Sequence, residues 1–424
     1  MVRRHAIQPH TLLVLNCIRT RLAVLHSAVS FHRKNRPSDE GIGVTSQATN
    51  GQDPRLWSLR DGDDLQNLSW HWWFWLIFLT PREGRPASEL EQCMILWSTK
   101  DCRSITMSGH LWKRGSRPRL DSGVTMEGVV ASWWWDGHTM HEPWRFGEGR
   151  MHVEGGERSI VAPLWTDAPA VGYDADLDRF WIDVPSINDD GSGPDSAQFV
   201  IDPHPELEHT ITHHNNLFTA TMGYDIHRLR RARVHGRVDG IERTGTAYLQ
   251  KVTVDAPPVP WFWGLIHLKD GSYIDWFMPH LGGSMMRRTP QPWSVLGQAG
   301  HVALRPSGLF IDEKKNRKQR FSVIDVKVDP SEQLDTSRDG APLPRFTVLM
   351  VSGRIRMKIR ATACSRAAWV FDQKTVADLT SHLTYNEYPL FIEHIMIEDE
   401  TGKRTLNASD VVGANAEHAW GWLF

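Results

Sequence analysis

The sequence predicts a mainly β fold, built as barrels or sandwiches, and three observations predict it. Short apolar segments are separated by Gly, Asp, Asn and Pro at close intervals, several of them alternate with a period of two, and helical periodicity is scarce. Such spacing favours antiparallel sheets over β-α-β units. The chain has 424 residues, more than one typical core holds, so we expect two β domains packed together.

Seven segments read as strands and one as a helix. The predicted strands are Trp72–Leu79, Gln198–Ile201, Ala247–Val254, Phe262–Leu268, Tyr273–Met278, Phe346–Val351 and Arg354–Arg360. The best helical candidate is Gln373–His382, about one helix in length. A polar, charged loop is expected from about Asp329 to Pro344.

The boundary between the two domains is expected at a proline-rich stretch. Pro257, Pro258 and Pro260 cannot continue a hydrogen-bonded ladder, which predicts domains over residues 56–258 and 259–424. Residues 1–55 are expected to be a poorly ordered extension or to lie outside the mature protein. A transit-like peptide, a weak amphipathic helix and a start codon assigned too early all fit this basic segment.

One hairpin can be laid out in detail. The Asp270-Gly271 pair is the one that two-residue type I′ turns prefer, and it would pair Leu268 with Tyr273. One face would then carry Trp261, Trp263, Leu265 and His267 with Ile274, Trp276, Met278 and His280. The other face would carry Phe262, Gly264, Ile266 and Leu268 with Tyr273, Asp275 and Phe277. Both faces are apolar and aromatic, so we expect the hairpin to be covered on both sides.

Tryptophan is unusually abundant, at 20 residues against six tyrosines. Its rings suit places where a large apolar area meets a polar edge. The clusters 69–75, 131–138 and 260–264 would suit a hydrophobic ligand, whose carbocation the ring faces could stabilise. Packing in the cores and between domains is an equally good interpretation. The ligand-binding candidates are Trp72, Trp73, Trp135, Trp261, Trp263 and Trp276.

Charge and motifs exclude several function classes. The net charge of −2 provides no field that would attract nucleic acid. The sequence contains no P-loop, dinucleotide fingerprint or nucleophile elbow, so we expect no cofactor. His209 and His213 lie in a β-like segment that would hold them about 13 Å apart, so no metal is expected. With no apolar run of about 18 residues, a cytoplasmic location is expected. Peripheral membrane contact and the oligomeric state are left open.

Several motifs together resemble a known family. They are the opening His71-Trp72-Trp73-Phe74, the strand Gly245-Thr246-Ala247-Tyr248, the Trp261/Trp263 pair, the Asp-Gly hairpin and the closing Glu417-His418-Ala419-Trp420-Gly421. In order and spacing they are similar to the hydroxyneurosporene synthase/AttH superfamily, which includes carotenoid 1,2-hydratases, over residues 57–424. The resemblance implies two lipocalin-like β domains with a hydrophobic small molecule, an isoprenoid or lipid, in or between them. It also adds Tyr248 to the ligand-binding candidates.

The resemblance implies a cofactor-free hydro-lyase or cyclase that acts on an isoprenoid or polyene. The family's Tyr-x-Asp pair is matched by Tyr273 and Asp275, whereas His71 stands where many members have Glu. Lys251 ends a segment, residues 248–251, that lacks the family's His-x-Trp pair. A carboxyl group kept protonated by burial can donate to an alkene carbon. Asp275 is therefore the predicted acid, with Tyr273 orienting it and His267 or His71 as base.

Alternatives to this assignment are left open. Asp275 could instead be a strand-edge carboxylate that is paired with an arginine or caps a loop. The protein as a whole could be a non-catalytic lipid- or pigment-binding lipocalin-like protein, or a structural one.

Overall fold

The computed structural model describes the chain from residue 47 to residue 421 with gaps. The described residues are 47–49, 51–59, 69–81, 90–101, 104–113, 119–120, 123–155, 158–163, 167–186, 193–203, 211–217, 223–255, 259–282, 302–335, 340–353, 355–374 and 380–421. These residues are nearly all in strands, and no α-helix occurs among them. From Ser46 onward the chain forms one compact unit. The predicted mainly β fold class is confirmed.

The strands fall into two antiparallel sheets. Those of the first sheet are β1 (Gln47–Thr49), β2 (Ser69–Leu79), β3 (Gln92–Asp101), β6 (Arg119–Leu120), β7 (Gly123–Trp135), β8 (Met140–Glu154), β9 (Arg158–Pro163), β10 (Ala170–Asp174), β11 (Arg179–Val184), β12 (Ala197–Pro203), β13 (Ile211–Leu217), β14 (Gly223–Val238) and β15 (Ile241–Asp255). Those of the second are β4 (Ser104–Met107), β5 (His110–Lys113), β16 (Trp261–Leu268), β17 (Tyr273–Leu281), β18 (Val302–Ala303), β19 (Ser307–Asp312), β20 (Arg317–Phe321), β21 (Val323–Leu334), β22 (Pro342–Ser352), β23 (Ile355–Ala363), β24 (Ala367–Lys374), β25 (Thr380–Asp399), β26 (Gly402–Leu406) and β27 (Val411–Trp420).

The first sheet closes into a barrel of ten strands. The ring runs β14-β12-β11-β10-β9-β8-β7-β3-β2-β15, and β15 pairs again with β14. Because side chains alternate along a strand, Trp73 and Trp75 of β2 point into the barrel core while Phe74 and Leu76 point outward. The opening tryptophan run therefore supplies both a core and an outer apolar face.

Residues 47–49 and 51–59 belong to this first sheet and its core. Strand β1 pairs with β13, and the segment after it buries Leu56, Trp57 and Leu59. The Trp73 indole donates to the Leu56 carbonyl at 2.8 Å. Part of the segment expected to be a poorly ordered extension is therefore folded. The chain passes from the first sheet to the second between β15 and β16, and the two-domain division remains a prediction.

The second sheet has the order β20-β19-β17-β16-β27-β25-β23-β22-β21 and wraps one hydrophobic core. The long strand β25 holds it together: its first half pairs with β24 and β27, and its second half with β23 and β26. The hairpin β4–β5 comes from the first part of the chain but joins this sheet through β24.

The predicted helix over Gln373–His382 is wrong at both of its ends, and residues 375–379 between them lie outside the described residues. Gln373 and Lys374 end β24, while Thr380 and Ser381 begin β25. Gln373 pairs with Ser381 and Lys374 with Thr380, so cross-strand pairing overrides the weak helical pattern. The predicted loop over 329–344 is also too long, because β21 continues to Leu334 and β22 begins at Pro342.

The hairpin β16–β17 exists, but its predicted register is wrong by one residue. Leu268 bonds Ser272 instead of pairing with Tyr273, which leaves a three-residue loop with Gly271 at φ 96°. His267 pairs with Tyr273, and Leu265 with Asp275. A shift of one residue moves every side chain of a strand to the other face. Tyr273 and Asp275 therefore share the face of Trp263, and Trp276 does not.

Candidate functional site

The outer face of the barrel packs against one face of the second sheet. Aromatic rings meet across this contact: Trp263 lies 6.0 Å from Phe74 and 5.4 Å from Tyr248, between ring centroids. Polar side chains are buried among these rings. We call the interlayer site the group formed by Trp133, Tyr248, Trp261, Trp263, Tyr273, Asp275, Tyr385, Glu387, Asn415 and Glu417.

Two glutamates lie side by side at the centre of this site. Glu387 on β25 pairs directly with Glu417 on β27, and Glu417 pairs on its other side with Trp263 on β16. Directly paired residues of antiparallel strands have Cβ atoms about 5 Å apart and face the same way. Glu387 is 0% exposed and Glu417 is 7% exposed. The register thus brings two carboxyl groups together in an apolar, aromatic setting.

Aromatic donors hold the two carboxyl groups. The Tyr385 hydroxyl donates to Oε1 of Glu417 at 2.6 Å, and the Trp261 indole donates to Oε2 at 2.9 Å. The Trp133 indole, from the barrel, donates to Oε2 of Glu387 at 3.0 Å. Trp133 therefore reaches across the contact, so the barrel itself helps to position the acid pair.

Burial raises the pKa of both glutamates. The pKa of Glu417 rises to about 7, against the opposing effect of the bonds from Tyr385 and Trp261. The pKa of Glu387 is raised well above its ordinary value by burial and then by the charge of Glu417. Two adjacent buried carboxyl groups cannot both ionise readily, so the pair retains a proton near neutral pH. Such a pair can act as a general acid.

Asp275 and Tyr273, the predicted acid and its orienting partner, form a second polar group in the same site. The Tyr273 hydroxyl donates to Oδ2 of Asp275 at 2.9 Å, and Arg230 Nε lies 3.8 Å from the same oxygen. Burial and the charge of Asp275 raise the pKa of Tyr273 well above its ordinary value. Asp275 thus makes the arginine pair that the alternative interpretation described, and its catalytic role remains a prediction.

The two predicted bases lie in different places. His267 contacts Thr246 Oγ1 at 2.7 Å through Nδ1 and the Arg230 carbonyl at 2.9 Å through Nε2, so both ring nitrogens face barrel residues. This position makes His267 a bridge between the two sheets. His71 alternates with Trp72 on β2 and contacts Thr253 Oγ1 at 3.2 Å. It is therefore on the barrel-interior side, away from the interlayer site.

The predicted ligand-binding aromatics separate into two groups. Trp72, Trp135, Tyr248, Trp261 and Trp263 belong to the apolar cluster between the sheets. Trp73 lies in the barrel core and Trp276 in the core of the second sheet. The placement of Trp276 on one face with Trp261 and Trp263 was wrong because of the register shift.

Sequence reasoning missed the acid pair. Glu417 entered only as part of the closing motif, and Glu387 not at all. The available signal was an acidic residue within an otherwise apolar strand, since an ionised carboxylate is costly to bury there. His204 and His209 of the histidine-rich segment lie outside the described residues.

Comparison with known proteins gives similarity of structure alone. No protein-family model matches the chain, and no curated protein sequence matches it. A protein assigned as AttH from Nitrosomonas europaea has a TM-score of 0.47 at 11% identity, covering 90% of this chain and 98% of its own. Kievitone hydratase from Nectria haematococca has a TM-score of 0.37 at 8% identity, covering 88% of this chain and 96% of its own. CghA has a TM-score of 0.40 at 7% identity, covering 88% of this chain and 97% of its own.

A structure assigned to the family that the sequence resembles is thus among those to which the chain is similar. Nothing about side chains or chemistry follows from similarity at this level. Separately, no helix among the described residues has the length and apolar character needed to cross a bilayer.

Proposed function

We propose that this protein is a cofactor-free lyase or cyclase that protonates a carbon–carbon double bond of a hydrophobic isoprenoid or polyene at the interlayer site. One observation carries the proposal: Glu417 is a buried carboxyl group whose pKa is raised to about 7, and it lies beside Glu387 among tryptophan rings. Protonating an unactivated alkene needs an acid that still holds its proton at neutral pH and is shielded from bulk water.

The reaction would use groups already in place. The Glu417 carboxyl gives its proton to one alkene carbon, which leaves a carboxylate and a carbocation on the neighbouring carbon. The faces of Trp261 and Trp263 would stabilise that cation through their ring quadrupoles. Addition of water, whose second proton returns to Glu417, gives an alcohol. Attack by another double bond of the ligand, followed by loss of a proton to Glu417, gives a ring.

Deuterium incorporation tests the acid whatever product is formed. The protein would be incubated in D₂O with detergent-dispersed lycopene or squalene, and recovered substrate and products would be analysed by mass spectrometry. We expect deuterium on carbon with the native protein and a loss of at least about 100-fold with Glu417→Gln, since a general acid contributes about that factor or more. Incorporation should also fall as pH rises through about 7, because the acid form is lost.

A matched variant and a second readout separate the enzyme from a carrier. Asp275→Asn alters the neighbouring polar group and should retain deuterium incorporation if Glu417 is the acid. Unchanged incorporation in Glu417→Gln would remove Glu417 from the mechanism. If the native protein binds the lipids but incorporates no deuterium, the alternative of a non-catalytic lipid- or pigment-binding protein is favoured.

A further inference from the structure

A buried amide lies next to the acid pair. Asn415 is 0% exposed, two residues before Glu417 on β27, and therefore on the same face of the strand. Its neighbours across the sheet are Leu265 on β16 and Pro389 on β25, whose side chains offer no hydrogen bond. Among the described residues, neither Nδ2 nor Oδ1 of Asn415 has a hydrogen-bond partner.

The residues around Asn415 keep bulk solvent away from its amide. Phe78 of the barrel packs directly over Gly413, the next residue on this face, where an added Cβ would lie 2.2 Å from the ring. Leu265 is fully buried in the apolar cluster between the sheets. An amide that is desolvated without a partner costs about 1–3 kcal/mol, so such a group is retained where something else satisfies it.

The chemistry of the amide specifies what that partner is. Nδ2 donates hydrogen bonds and Oδ1 accepts them, so a group that satisfies both must itself accept and donate. A hydroxyl does this, whereas a hydrocarbon offers neither and an ether or ketone only accepts. Water has the same chemistry, so a ligand hydroxyl and a water molecule are the two sources of such an oxygen.

We propose that Asn415 binds the hydroxyl group of an alcohol ligand at the interlayer site, so that oxygen-bearing isoprenoids bind more tightly than the corresponding hydrocarbons. This inference rests on the proposed function for the location of the ligand, but not on catalysis. It places the ligand's hydroxyl beside Glu417, at the polar end of an otherwise aromatic site.

Binding of a matched pair of probes tests this directly. The probes are farnesol and the triene hydrocarbon that lacks only its hydroxyl, and their dissociation constants would be measured by equilibrium dialysis. In Asn415→Leu, which keeps a similar side-chain volume, we expect the preference for farnesol over the hydrocarbon to fall about tenfold from its native value. A site that bonds a substrate hydroxyl discriminates by at least that factor against the analogue without it.

Asn386→Leu is the matched control. Asn386 is equally buried and lies on the adjacent strand, but it faces the opposite side of the sheet and donates to the His418 carbonyl at 3.2 Å. This variant should keep the native preference. An unchanged preference in Asn415→Leu, or no binding of either probe to the native protein, would overturn the proposal and leave water as the occupant. Deuterium incorporation is a separate readout, so loss of the acid mechanism and loss of the hydroxyl contact are distinguishable.

Discussion

Glu417 shows how a weak acid becomes a proton donor at neutral pH through its position alone. Water is replaced around it by indole and phenyl rings, which penalises the charged form. The two bonds from Tyr385 and Trp261 stabilise the carboxylate and limit the rise of its pKa to about 7. The balance leaves a large fraction of the group protonated at neutral pH and still able to release its proton.

This balance predicts the pH dependence of stability. The folded state retains the Glu417 proton up to about pH 7, whereas the unfolded chain releases it near 4.5. The higher pKa of Glu417 in the folded state contributes roughly 3 kcal/mol to the free energy of unfolding. This contribution is fully present below about pH 4.5 and is lost as pH rises through about 7. The free energy of unfolding of the native protein should therefore fall, relative to Glu417→Gln, between pH 5 and pH 8. Urea unfolding at both pH values measures it, and equal pH slopes in the two proteins would contradict it.

At the residue scale the sequence could locate the polar chemistry only in part. Tyr273 and Asp275 were found because a short motif names them, and both lie in the interlayer site. Glu387 and Glu417 are 30 positions apart and become partners only through the register of β25 and β27. A register of that kind depends on how the long strand β25 changes partners midway, which local patterns do not encode.

At the scale of elements, short apolar runs between turn residues were a reliable guide. Each of the seven predicted strands overlaps an observed strand, although strands such as β16 are buried on both faces instead of alternating. The geometry of the loops was harder to predict from the sequence. An Asp-Gly pair suits both a two-residue and a three-residue turn, and the choice between them inverts both faces of β17. Strand existence was therefore predictable, and strand orientation was not.

The observed orientation of β17 predicts that a side chain at Gly264 would be overpacked. Trp276 lies over Gly264 of the paired strand, where an added Cβ would approach the indole to 2.2 Å. Gly264→Ala should therefore lower the free energy of unfolding by about 1–3 kcal/mol through overpacking, as measured by urea denaturation. Gly155→Ala is the control, because an added Cβ at Gly155 meets nothing within 4 Å. A Gly264→Ala variant as stable as Gly155→Ala would refute the observed register.

At the scale of the whole molecule, the two sheets are joined by more than apolar contact. The hairpin β4–β5 leaves the first part of the chain and extends the second sheet through β24. Trp133 of the barrel holds Glu387, and Thr246 of the barrel holds His267. The acid pair is thus positioned by groups from both sheets, which makes the integrity of the contact a condition for the site.

These links predict that the sheets unfold together. Met107 on β4 is buried against the cluster that contains Trp369 and Phe371 of β24. Met107→Ala should lower the free energy of unfolding by about 2–5 kcal/mol. Tryptophan fluorescence and far-ultraviolet circular dichroism should still report one coincident transition, because loosening the hairpin weakens both sheets. Leu111→Ala, in the same hairpin but 56% exposed, should change little. If Met107→Ala instead separates the signals into two transitions, the sheets are independent folding units, and a site assembled between them would have to form after each has folded.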